Sequence, residues 1–409
     1  MPGNVDGYPK YDNSLYIYAY NQIMGNSSGA TGSKSCSLQD CPHPSDISTG
    51  LCKLGLNYLW TFLLNCIADF RDWAEDVTQT VLGEARDAIL PDVSSMVEDF
   101  SPQLDFGALG KDELGMAMLA VAAEALDFLV PELGGEVQTI GDQIMDFQLD
   151  GTLFQFDKEE ETADHLRTKM SQAIDSIITK IENSASILLE KTPVNTEANP
   201  YSQQPMNAID LFQNGAYAAP KSWSSQVAPA KQRTEKVLAA SIIGNIWKTQ
   251  EVFVATATKQ LTVKNGDTEK TNPKALCDYD TSGSEITSYC KDGRVYWLLQ
   301  ADALNHAWQK FKKPSGIDKL SSYANLQSSE IMTSVVTRYE KNLKDSLSAA
   351  NAWSFMDADK DADRPLYIPL KVLDLDQIDK TIYVTTPSTV QESYKDIVGD
   401  IPQTSYWIN

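Results

Sequence analysis

Histidine is scarce here, with three in 409 residues, His43, His165 and His306, and no two share an H-x-x-x-H spacing. Zinc hydrolysis of that kind and a histidine-based triad have no local support. Positive charge is missing where negative charge is dense. Residues 69–164 carry 24 Asp and Glu against Arg71, Arg86, Lys111 and Lys158, which places 20 of the 22 net negative charges in one stretch. Phosphate neutralisation needs clustered Lys and Arg, and no base occurs from 112 to 157, so nucleic acid is excluded as a partner. No apolar run reaches the roughly 18 to 20 residues of a spanning helix, and the N-terminal region lacks the charged-then-apolar layout of a signal peptide. There is no internal repeat.

What is present is ordinary globular composition, 42% hydrophobic and 22% charged, enough for one large or two medium domains. Six cysteines, Cys36, Cys41, Cys52, Cys66, Cys277 and Cys290, form an even set, and Asn26, Ser27 and Ser28 spell a glycosylation acceptor. Together they imply a secreted, extracellular protein whose signal has been replaced by Met1. Leu51 to Trp73 reads as one helix, so Cys52 and Cys66 would stand about 21 Å apart along it, against roughly 5.5 Å between disulfide-linked Cα atoms. The expected arrangement ties the Cys36 and Cys41 loop onto Cys52 and Cys66, with Cys277 and Cys290 closing their own loop. Fifteen connectivities are open to six cysteines.

The pattern is helical from Ser48 to Phe100, with Pro91 and Pro102 as punctuation, and again from Lys111 to Val130 and Glu136 to Phe147, a helical hairpin around Pro131 and Gly134. Residues 158–190 carry the strongest stripe, Met170, Ile174, Ile177, Ile181 and Leu188. Residues 191–230, rich in Pro, Asn, Gln and Ser, read as a linker or long loop. Helix resumes from Lys231 to Thr258, Asn265 and Gly266 mark a tight turn, Arg294 to Gln300 reads as a strand, Leu326 to Leu347 as a helix, and Leu366 to Leu375 with Thr381 to Thr386 as a small sheet. The expected fold is mainly α, a helical bundle with a small β element in the C-terminal part. Its domains would be an acidic disulfide-tied helical domain over 1–190, the linker over 191–230 and a mixed domain over 231–409.

Two constellations carry candidate chemistry. Leu114 to Val130 is apolar but for Glu124 and Asp127, near the lower length limit for spanning. Neutralised near pH ~4, those carboxylates would let the hairpin insert, with Leu114, Met118, Val121, Glu124, Asp127 and Val130 as its membrane element. The competing packing puts Leu114, Met118, Val121 and Leu126 toward a core, with Glu113, Glu124 and Asp127 beside Ala117 and Ala120 on the other face. Asp357, Asp359, Asp361 and Asp363 alternate as oxygen ligands for calcium would, but Ala362 and Ile368 stand where an EF-hand places glycine and glutamate. No other cofactor is implied. The G-x-S-x-G string at 25–29 precedes no helix, the phosphate-loop mimic at 29–35 has Ser33 before its lysine, and the retention string at 111–114 is internal.

The strings Cys36 to Pro42, Leu129 to Gly135 and Cys290 to Trp297 loosely resemble uncharacterised secreted fungal proteins with a cysteine-tied helical body. That resemblance covers scattered motifs and implies secretion, with no activity to carry over. The resulting expectation is a secreted non-enzymatic effector or toxin-like protein whose acidic helical half meets a host protein or membrane surface. The alternatives are a carboxylate-dependent hydrolase of glycosidase type, with Trp297, Trp308 and tyrosines lining its cleft, and a cell-wall or extracellular structural protein.

Overall fold

The apolar positions between 57 and 100 keep helical spacing, and the chain is helical over that whole span in its computed structural model. The structure describes residues 4–5, 8–9, 57–101, 104–109, 111–128, 162–186, 223–257, 261–265, 268–271, 287–292, 294–301, 311–312, 314–340, 366–374 and 382–383. Helix α1, Asn57–Glu75, runs into a π-helical segment, Asp76–Gly83, then α2, Glu84–Ile89, a 3-10 turn, Leu90–Asp92, and α3, Val93–Phe100. Pro91 occupies the 3-10 turn, where its missing N–H interrupts no long helix. In the π segment a Cβ on Gly83 would come 3.2 Å from the Thr78 carbonyl oxygen, the atom a five-residue turn brings close.

Four further helices follow: α4, Lys111–Phe128; α5, Ala163–Ser186; α6, Ser224–Thr249; and α7, Ser328–Glu340. The α5 stripe is the expected one, with Met170, Ile174, Ile177 and Ile181 buried. The fold is mainly α with a small β element. Helix α6 departs from expectation at both ends. It begins at Ser224, inside the stretch read as linker, and it stops at Thr249, where Glu251 turns the chain with φ 55. The next residues, Val252–Ala257, form strand β3 rather than more helix, as their β-branched and aromatic side chains favour. Residues 191–222 lie outside the described residues.

The chain divides into two compact units, residues 1–87, 121–148 and 171–234 in one, and 88–120, 149–170 and 235–409 in the other. In the first, Leu64, Ile67, Phe70, Trp73, Val77, Val81 and Leu82 are buried, as are Ile174, Ile177 and Ile181 of α5. Polar ties join its elements at the margin of this core: Gln79 donates to Glu182 at 3.0 Å, Arg86 to Asp175, Trp223 to Asp76 at 3.0 Å and Lys231 to Glu84 at 2.6 Å.

In the second unit β3 is the centre of a five-stranded sheet. It pairs antiparallel with β7, Arg294–Ala301, and parallel with β9, Lys371–Asp374; β6, Thr287–Lys291, and β8, Phe311–Lys312, pair antiparallel with β7. Val252 to Thr256 are all buried, which explains a continuous rather than alternating apolar run. The α6 residues Val237 to Trp247 are buried on every side, and Gly244 lets residues 368 and 369 approach so closely that a Cβ would meet Ile368 Cγ2 and Pro369 Cδ at 3.0 Å. A second small sheet pairs β4, Leu261–Asn265, antiparallel with β5, Thr268–Thr271, either side of where a tight turn was expected, a pair of strands not foreseen, with β10, Ile382–Tyr383, parallel to β4. At the N-terminal end Asn4–Val5 and Tyr8–Pro9, β1 and β2, pair antiparallel.

Candidate functional site

Helix α4 is the first place where apolar pattern and acidic residues meet. Leu114, Met118 and Val121 are buried, but so are Ala117, Ala120 and Glu124, the last with 1% of its surface exposed. The face carrying the carboxylate is therefore interior, which corrects its expected outward placement. Arg233 Nε, on α6, donates to Glu124 Oε1 at 3.2 Å, while Glu124 Oε2 is buried with no partner among the described residues. A buried carboxylate needs such a cation, because removal from water costs more than apolar packing returns. The backbone of Asp127 lies in the last turn of α4; its side chain, Val130 and the second limb of the hairpin lie outside the described residues. No described helix is long and apolar enough to cross a membrane.

The cysteines come next. Cys66 is a free thiol, fully buried within α1, and the cysteines expected to pair with it lie outside the described residues. Burial pushes that thiol up to about 11, and the charge of Asp69 adds to the rise, leaving it unreactive at neutral pH. Cys290 stands in β6 opposite Val295, with its side chain outside the described residues. Cys36, Cys41, Cys52, Cys277, the glycosylation acceptor Asn26 and the calcium candidates Asp357, Asp359, Asp361 and Asp363 are all outside them. Among the described residues no three His, Cys, Asp or Glu come together as metal ligands.

Carboxylates meet aromatic donors at three places that sequence reasoning did not reveal. In the first unit Asp76 accepts the Trp223 indole N–H. In the second, Asp99 at the end of α3 accepts from Lys319 Nζ and, at 2.7 Å, from Tyr323 Oη. The Lys319 hydrogen bond, aided by that of Tyr323, holds the Asp99 carboxyl below its ordinary range, while burial and then Asp99 itself drive Tyr323 well above its own. Also in the second unit, Glu340 at the end of α7 accepts from Lys291 Nζ at 2.5 Å and from Tyr296 Oη at 3.1 Å. The hydrogen bond to Glu340 raises Lys291. The Tyr289 ring lies 6.4 Å from that of Tyr296, so this corner gathers a carboxylate, an ammonium and two phenols. Trp297 is buried in β7, and Trp308 is outside the described residues.

Every one of these pairs joins residues at least 44 apart in sequence, and no periodicity encodes such partners. The one available signal was compositional: the acidic stretch holds few bases of its own, so partners such as Arg233 for Glu124 and Lys319 for Asp99 had to come from elsewhere in the chain. No family model, no curated protein and no solved structure matches this chain.

Proposed function

We propose that this is a secreted, non-enzymatic protein of effector or toxin-like kind that acts by binding a partner protein. The supporting observation is how its carboxylates are used. Asp76, Asp99 and Glu340 each meet an aromatic donor, the combination a hydrolase cleft would need, and each spends that contact on tying one element to another distant in sequence. A carboxylate serving as general acid or nucleophile must instead be presented to substrate beside a second carboxyl, about 5 to 9.5 Å away in glycosidases. A protein partner is favoured over a lipid surface because the buried Glu124 and Arg233 pair fastens α4 as packed core.

The test offers the protein a panel of polysaccharide, oligosaccharide and peptide substrates alongside its Glu340→Gln variant, then measures dye release from anionic and neutral liposomes between about pH 7 and pH 4. The reading expects no turnover and no release. Turnover by the wild type that disappears in Glu340→Gln would replace it with the hydrolase; release switching on near pH ~4 to 5 would make a membrane the partner.

A further inference from the structure

We propose that residues 314–326 of the second unit form a strap fastened at two points, and that acid releases one end while the other holds. The strap is one-sided. Pro314, Ile317, Leu320, Tyr323 and Leu326 are buried beneath it, while Asp318, Lys319, Ser321 and Ser322 are exposed above. It crosses Phe100, whose ring sits 5.5 Å from that of Trp247 and 5.6 Å from that of Tyr323. Gly316 makes that crossing possible: its φ is +74, and a Cβ there would lie 2.6 Å from Phe100 Cδ1 and 2.7 Å from the Asp99 carbonyl oxygen.

The two fastenings differ in chemistry. At the first, Gln300 Oε1 accepts from Ser315 N at 3.0 Å and Ser315 Oγ at 3.1 Å, and the Ser315 carbonyl accepts the Trp247 indole N–H at 2.9 Å. None of those groups titrates in the acid range. At the second, the Asp99 carboxylate alone receives both Lys319 and Tyr323. Among the described residues the other charged groups near this end are Asp92 and Glu98, whose charges reach Tyr323, and Asp318 on the strap itself. Protonating Asp92, Glu98 or Asp318 supplies no new acceptor to replace Asp99. A protonated Asp99 loses its charge and most of its strength as an acceptor, so the strap loosens from Tyr323 backward and pivots at Ser315. The consequence is acid exposure of the aromatic floor at Phe100, whatever partner the protein has.

Hydrogen exchange resolved by segment tests this at about pH 7 and about pH 2, the latter well below the ordinary carboxylate range because Asp99 is held low, with rates corrected for the chemical pH dependence of exchange. Loss of one charge-assisted bond predicts that amides of 317–326 exchange about tenfold faster in acid while those of β3 do not change. Asp99→Asn should show the faster exchange already at neutral pH and respond no further to acid. The strap is refuted by unchanged exchange of 317–326, by an equal rise in β3, or by wild-type behaviour of Asp99→Asn. Should that variant fail to fold, Lys319→Met keeps the carboxylate and must move the opening to higher pH; an unmoved midpoint also refutes it.

Discussion

Glu124 and Arg233 show how one residue pair sets the meaning of a whole helix. The carboxylate is 1% exposed and the guanidinium side chain 18%, so the acid has given up its water and the base only most of it. Removing the cation leaves an uncompensated buried charge; removing both leaves an apolar contact in an apolar place. Arg233→Met is therefore expected to cost about 3 kcal/mol, and the double variant Glu124→Leu with Arg233→Met to cost less than the single one. Urea unfolding midpoints at neutral pH measure both. A double variant as unstable as the single, or a single variant without effect, would show that the pair does not hold α4. Cys66 illustrates the same rule for a neutral group, since its thiol is buried and kept protonated rather than paired.

At the scale of elements, two glycines with opposite surroundings make opposed predictions. Gly115 in α4 has nothing within 4 Å of an added Cβ, so Gly115→Ala should stabilise by about 0.5 to 1 kcal/mol through helix propensity. Gly316 has a left-handed φ and would drive its Cβ into Phe100, so Gly316→Ala should destabilise by about 2 to 4 kcal/mol, combining backbone strain with overpacking. Thermal unfolding of the two variants should move in opposite directions, and a shared direction would contradict these local geometries. The contrast marks the limit of pattern reading. Periodicity located α4, α5 and α7 and the strand from Arg294, because each element's own spacing carries that information. It placed Leu114, Met118 and Val121 in a core but misplaced Glu124. Alanines 117 and 120 give a face no direction, and Arg233 is 109 residues away. It carried α6 through Val252 to Ala257 because a buried apolar run has no period that separates strand from helix. Neither the wide turn at Asp76–Gly83 nor the clasp at Asp99 leaves a mark in spacing.

The charge of the whole molecule is uneven along the chain but locally balanced at several points in the fold. Glu84 is met by Lys231, Asp99 by Lys319, Glu124 by Arg233, and Asp87 and Asp175 by Arg86. Three of those four bases come from outside residues 69–164, so a stretch that would repel itself as an isolated helix layer is partly neutralised by the rest of the chain. Stability should then depend on pH at both extremes. Asp99 has a lowered folded value, so its contribution is present above the unfolded carboxylate value of about 3.9 and is lost as pH falls through the folded one. Lys291 and Tyr323 are raised, so theirs are present below unfolded values of about 10.4 and 10 and are lost as pH climbs through the folded ones. A plateau in urea midpoint between about pH 5 and pH 9 follows, with a limb on each side. Lys291→Met removes one contributor to the alkaline limb, so its midpoints should fall less steeply than wild type above about pH 10. Equal alkaline slopes in the two proteins would mean that the Lys291 and Glu340 contact contributes nothing to holding β6 against α7.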